Sequence, residues 1–244
     1  MARLPRLNLA GIPQHIVQRG NNRQVCFFSE QDYTAYLYTL KEYSQKYKVD
    51  VHSYVLMTNH VHLLLTPKDA NGVSRLMQSL GRYYVRYINQ VYSRTGTLWE
   101  GRFKSSVVDS ENYFLTVSRY IEQNPLRANM VEPEYPWSSY QKNAMGKLIE
   151  LITPHYCYLS LGKNDEERQE TYRSLFEHEI PDYTLTEIRE AINKTWILGD
   201  NRFRQQIEAQ TGRYISQLPH GGDRKSKKYK IDKHSQLFKQ NQLL

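Results

Sequence analysis

Apolar and polar residues alternate from Ile12 to Arg19. Ile12, Gln14, Ile16 and Gln18 are set against Pro13, His15, Val17 and Arg19, a period of two that predicts a first strand. The run Asn59-His60-Val61-His62-Leu63-Leu64-Leu65 has the same period and predicts another strand over His60 to Thr66. There His60 and His62 share one face, while Val61, Leu63 and Leu65 turn into a core. Val51 to Met57 predicts the strand between, joined to His60 through a Thr58-Asn59 hairpin turn.

Helical spacing takes over elsewhere. Tyr33, Tyr36, Leu37, Leu40 and Tyr43 predict a helix from an N-cap at Ser29, with Asp32 three residues on, to about Tyr47. Val73, Leu76, Met77, Leu80, Tyr84, Tyr87, Ile88 and Val91 predict a long second helix, with Arg75, Arg82 and Arg86 largely off its apolar stripe. The segment from Trp99 to Lys104 leads into a fourth strand ending at Val108. Ser110 is the expected cap of a helix over Glu111 to Asn124, stopped by Pro125, with Phe114, Val117 and Ile121 on its core side. Gly20-Asn21-Asn22-Arg23 marks a turn. The order β-α-β-β-α-β-α predicts an α+β fold, an antiparallel sheet with helices packed on it in the ferredoxin-like manner. Beyond it, short charged helices over 164–179, 185–193 and 200–211 suggest a helical appendage. Domains are expected at 1–145 and 146–218, with a basic, disordered tail over 219–244.

Composition narrows the partners. A net charge of +8 and a pI near 9.3 favour a polyanion, and twenty tyrosines with three tryptophans supply rings on which unpaired bases stack. Mean hydropathy is −0.72 and no apolar run reaches membrane-spanning length. The first residues, Met1 to Arg6, carry no secretory pattern. Cys26 and Cys157 form no paired motif, which suits a reducing cytoplasm.

Two histidines on one strand face can hold one metal ion, since neutral imidazole is a common ligand. A lone His-x-His is more often ordinary strand structure. His15 reads as a space-filling strand histidine or a substrate contact. Tyr120 and Asn124, one helical turn apart, present a phenol and a carboxamide together, and Tyr113 is the rival phenol.

The segment Asn59 to Leu64 resembles the HUH motif, in which two histidines flank a large apolar residue. Arg119-Tyr120-Ile121-Glu122-Gln123-Asn124-Pro125-Leu126-Arg127-Ala128 resembles the catalytic-tyrosine helix of the single-tyrosine HUH transposases. With Ile12 to Arg23 and Trp99 to Lys104, the likeness is to the REP-associated tyrosine transposases and covers about residues 1–145. That resemblance implies metal-dependent cleavage and rejoining of single-stranded DNA at folded hairpins through a 5′-phosphotyrosine. It makes Tyr120 the nucleophile, His60 and His62 metal ligands, and Asn124 the third ligand, with Gln123 as the neighbouring alternative. The cofactor is then Mg²⁺ or Mn²⁺, with tighter binding expected for Mn²⁺, which tolerates nitrogen better. Expected DNA contacts are Arg3, Arg6, Arg19, Asn22, Arg23, Arg82, Arg102 and Lys104. The resemblance leaves monomer and homodimer both open, and expects a cytoplasmic, nucleoid-associated protein. Competing readings are a replication-type nickase, a domesticated hairpin-binding regulator and a plain α+β domain with packed histidines.

Overall fold

The computed structural model describes residues 6–7, 9–130, 135–194 and 197–212. Arg3 and the basic tail from 219 lie outside them. The elements follow the predicted order: β1 (Gln14–Arg19), α1 (Glu30–Lys46), β2 (Val49–Met57), β3 (His60–Pro67), α2 (Gly72–Val91), β4 (Lys104–Val108) and α3 (Ser110–Glu122). Then come the short helices α4 (Asn124–Arg127), α5 (Tyr140–Asn143) and α6 (Tyr156–Leu159). The chain continues through α7 (Asp165–Ser174), α8 (Asp182–Lys194), β5 (Ile197–Leu198) and α9 (Asn201–Thr211). The sheet order is β2-β3-β1-β4-β5. Its first four strands pair antiparallel, giving the expected α+β fold, but β5 joins β4 in parallel, so the sheet is mixed.

Strand alternation divides the sheet into two faces. Ile16, Val61, Leu63 and Leu65 pack with Leu40, Leu76, Leu80 and Tyr84 under α1 and α2. Each is fully buried, worth roughly 1.5–3 kcal/mol per large apolar side chain. The opposite face carries Val55 and Leu64 against Phe114, Val117 and Ile121 of α3, and extends to Ile188 of α8 and Leu198 of β5. His15, His60 and His62 belong to this second face, as period two requires.

The cap of α1 is as expected at Ser29, with the Asp32 carboxylate accepting from the Ser29 and Phe28 backbone N–H groups at 3.0 and 2.7 Å. The cap of α3 is one residue earlier than expected. Asp109, in extended conformation, accepts from the Glu111 N–H at 3.1 Å, and Ser110 is already helical. The third helix also ends at Glu122 rather than Asn124. Pro125 does not stop the chain's helicity outright: it sits in the first turn of α4, which itself asks no N–H of that position. The fourth strand starts only at Lys104. The turn after β1 is a single 3₁₀ turn over Asn21–Arg23, entered from Gly20. A Cβ on Gly20 would fall on the Gln24 carbonyl and lie 2.6 Å from Cys26 Sγ, so only glycine fits.

The C-terminal helices pack on this frame. Tyr172 of α7 is buried, and its hydroxyl donates to Glu122 of α3 at 2.9 Å. Among the described residues no helix is long and apolar enough to cross a membrane.

Candidate active site

Antiparallel register sets Val17 opposite His62 and Arg19 opposite His60 at one end of β1 and β3. The His60 Nδ1–H donates to Asn59 Oδ1 at 2.6 Å, and Asn59 Nδ2 donates to the Arg23 carbonyl at 3.1 Å. The turn after β1 therefore holds the ring of His60, leaving Nε2 without a hydrogen-bond partner among the described residues. His62 Nδ1 lies 2.9 Å from His15 Nε2, with the two rings stacked at 5.1 Å. One N–H bridges them. Burial keeps all three imidazoles neutral: His15 is pushed down to about 3, and His60 to about 4 with help from Arg19. His62 falls well below its ordinary value, by burial first and then by His15, His60, Arg127 and Arg19.

The helix side arrives from α3. Tyr120 sets its ring 5.9 Å from that of His62 and 5.8 Å from that of His15, both edge-on. Pro125 supplies no N–H to the end of α3, and side chains take its place. Asn124 Nδ2 donates to the Tyr120 and Ile121 carbonyls at 2.9 and 3.2 Å, and Arg127 Nη2 donates to the Tyr120 carbonyl. The Arg127 guanidinium also stands over the Tyr120 ring, 4.4 Å from its centroid. With its nitrogen so engaged, the Asn124 carboxamide has its oxygen left for other partners.

These pieces meet in one cavity of about 410 Å³. Tyr120, His60, His62, Asn124, Arg19, Arg102 and Lys104 line it. Of the other expected contacts, Arg6 and Arg82 lie along a separate groove beside α2, and Asn22 and Arg23 sit exposed in the turn beyond β1. Gln123 is not part of the cavity wall, and its Oε1 accepts from Arg127 Nη1 at 3.4 Å. Tyr113 faces α8 instead, donating to Glu187 Oε2 at 2.9 Å. Burial, and then that carboxylate, push it up to about 12.

Sequence reasoning passed over Glu100, Arg189, Asn193, Arg127 and the pairing of His15 with His62. Lys104 Nζ donates to Asn193 at 2.8 Å, so α8 closes one wall. Nothing local in the sequence marks Arg189 and Asn193, which depend on α8 docking against β4. With Arg19, Arg102, Lys104 and Arg189 against Glu100, the wall is net cationic and suited to a phosphodiester. Among the described residues no three His, Cys, Asp or Glu side chains gather as a metal cluster. A cation placed here would have two imidazole nitrogens and a carboxamide oxygen to draw on.

The stretch from 9 to 124, which holds both histidines, the tyrosine and the asparagine, matches the family model described as transposase, IS200-like. Those residues, a little under half of the chain, are similar to the IS200-like transposases. The fold is similar to that of a solved REP-associated tyrosine transposase bound to a REP hairpin. The identity is 16%, the TM-score 0.50, and the match covers 64% of this chain and 92% of that one. A provisionally assigned transposase from Deinococcus radiodurans R1 aligns with 18% identity over 50% of this chain and 96% of its own, at a TM-score of 0.35. No curated protein matches the chain.

Proposed function

We propose that this chain is a transposase that cleaves and rejoins single-stranded DNA at hairpin elements, with Tyr120 as nucleophile. The observation that carries the reading is the convergence of a phenol from α3 and two neutral imidazoles from β3 on one cationic cavity. The hairpin in the solved relative supports the choice of a folded DNA substrate. In the cleavage step Tyr120 Oη bonds to the scissile phosphorus as the bond to the 3′-oxygen breaks. The phenolic proton passes to water and the departing 3′-oxygen takes one up. The phosphodiester energy is kept in a 5′-phosphotyrosine, so a 3′-OH reverses the step without a nucleotide cofactor. Fixing the ring by Arg127 and the edges of His15 and His62 holds the nucleophile near its phosphate, which offsets the small ionised fraction of a free phenol.

His60, His62 and Asn124 form the donor set we assign to Mg²⁺ or Mn²⁺. The fit rests on Nδ1 of both imidazoles being occupied by Asn59 and His15, and on the engaged nitrogen of Asn124. That arrangement favours Asn124 over Gln123. When bound, such an ion supplies positive charge to a non-bridging phosphate oxygen. In this reading Arg19, Arg102 and Lys104 bind the phosphates on either side, and His15 orients His62.

The test incubates the protein with labelled hairpin DNA and Mn²⁺ and looks for an SDS-resistant adduct. Tyr120→Phe abolishes it and Tyr113→Phe retains it; the reverse pattern refutes the assignment. Supplying two nicked hairpins separates strand joining from nicking alone.

A further inference from the structure

The cavity that holds Tyr120 has a row of side chains for its floor. Val17 of β1 is the register partner of His62 on β3 to one side and of Lys104 on β4 to the other. All three line the cavity. Two strand spacings separate the ends of the row, so the Cα atoms of His62 and Lys104 lie about 10 Å apart. Tyr120 stands at the histidine end, its ring edge-on to those of His15 and His62. Lys104 stands at the far end, under α8.

An in-line displacement at phosphorus puts the attacking and the departing oxygen on opposite sides of the phosphate. A phosphate over Val17 would receive the phenol from one end of the row and release its 3′-oxygen toward the other. The group at that end is the Lys104 ammonium. Its Nζ donates to Asn193 Oδ1 at 2.8 Å, and it has no carboxylate partner among the described residues. A neutral carbonyl therefore anchors the ammonium without cancelling its charge, and two of its three hydrogens are left for the cavity.

A lysine among arginines is ordinarily one more phosphate contact. Here the other groups of the wall cannot do what a departing alkoxide needs. Arg19, Arg102 and Arg189 keep their protons, since a guanidinium does not ionise in proteins. The imidazoles of His60 and His62 are neutral and belong to the cation's donor set. A carboxylate such as that of Glu100 only accepts, and the carboxamides of Asn124 and Asn193 do not titrate.

We propose that Lys104 is the general acid of cleavage, donating a proton from Nζ to the departing 3′-oxygen, and that Asn193 of α8 is its positioning residue. As Tyr120 Oη bonds to phosphorus, the electron pair of the breaking P–O bond passes to the 3′-oxygen. That oxygen takes a proton from Nζ and leaves as a 3′-OH. Lys104, now a neutral amine, recovers a proton from the water that received the phenol's. In rejoining the order reverses: the amine takes the proton of the attacking 3′-OH, and the departing phenolate takes one from water. The inference adds proton transfer to the phosphate contact at Lys104, and it rests on the reading of Tyr120 as nucleophile. It also gives the C-terminal helices a part in the chemistry.

Single-turnover cleavage by the full chain, in Mn²⁺ and at saturating protein, tests it. A pool of hairpins with unpaired flanks first identifies the linkage at which wild type forms its adduct. That hairpin is then made with oxygen or with sulfur at the 3′-bridging position of the linkage. Sulfur departs as a thiolate and needs no proton donor, because a thiol ionises at about 8.5. Lys104→Met should slow cleavage of the oxygen linkage on the order of 10²- to 10⁴-fold and leave the sulfur linkage within about threefold of wild type. Lys104→Arg should be as slow on oxygen, since it keeps the charge and withholds the proton. Asn193→Ala should lose roughly tenfold, on oxygen alone. Arg102→Gln, the control for phosphate contact, should lose equally on both. Equal losses on oxygen and sulfur in Lys104→Met, no loss on either, or full oxygen cleavage by Lys104→Arg would each overturn the inference alone. If wild type forms no adduct at Tyr120, the reading of the nucleophile falls with it.

Discussion

Glu122 lies two residues beyond Tyr120 on α3, facing away from the active cavity, and is nearly fully buried. Ser139 Oγ and Asn143 Nδ2 donate to its Oε1 at 2.5 and 2.8 Å, and the Tyr172 hydroxyl donates to Oε2 at 2.9 Å. Two effects oppose each other. Burial favours the neutral acid, while three donors favour the carboxylate. Burial wins, and the acid is raised from 4.5 to about 7. At ~1.4 kcal/mol per tenfold change in protonation, that displacement amounts to about 3 kcal/mol. The folded state holds this proton more tightly than the unfolded chain. Its stabilising contribution is therefore full below the unfolded value near 4.5 and is lost as pH rises through about 7. Glu122→Gln cannot ionise and keeps a carbonyl acceptor for Ser139 and Asn143. Urea unfolding of metal-free wild type and variant, followed by circular dichroism from about pH 5 to about pH 8.5, gives the difference. The buried histidines titrate alike in both proteins and cancel. The variant should gain roughly 2–3 kcal/mol on wild type across that window. A difference flat to within ~0.5 kcal/mol would show the carboxylate already ionised in the folded state, the three donors having outweighed burial.

If His15 orients His62, His15→Phe should weaken Mn²⁺ binding about tenfold, read by electron paramagnetic resonance, with the fold intact by circular dichroism. His15→Gln, whose carbonyl can accept from His62 Nδ1, should recover most of that loss; no recovery would reduce His15 to a space-filler. Asn124→Ala should weaken Mn²⁺ binding as well, whereas Gln123→Ala should not, and the opposite ranking in the same titration would exchange the third ligand. Gly20→Ala should cost at least about 2 kcal/mol in urea unfolding, because the added methyl meets the Gln24 backbone rather than a yielding side chain.

What the sequence made legible was whatever period and local chemistry decide. Alternation along β1 and β3 put His60 and His62 on one face and Val61, Leu63 and Leu65 on the other, because side-chain direction in a strand needs no tertiary information. The Ser29 cap was equally local. The cap of α3 was misjudged by one residue since Asp109 and Ser110 are both good caps, and only the extended backbone at Asp109 chooses between them. The two-residue strand β5 has no pattern to read: Ile197 and Leu198 become a strand because β4 offers them an edge. The partner of His62 likewise comes from register, fifteen being brought to sixty-two by the pairing of β1 with β3.

Pro125 shows how a local rule and a site rule coincide. Read along the chain, a proline after a helical stripe means that the helix ends. In the fold, that ending leaves carbonyls at Tyr120 and Ile121 in need of donors, and the nearest side chains that can reach back are Asn124 and Arg127. Satisfying those carbonyls turns the Asn124 nitrogen inward and lays the Arg127 guanidinium over the Tyr120 ring. The spacing Tyr-x-x-x-Asn-Pro-x-Arg is therefore a helix terminus first. The alignment of phenol and carboxamide on one cavity follows from how that terminus is capped.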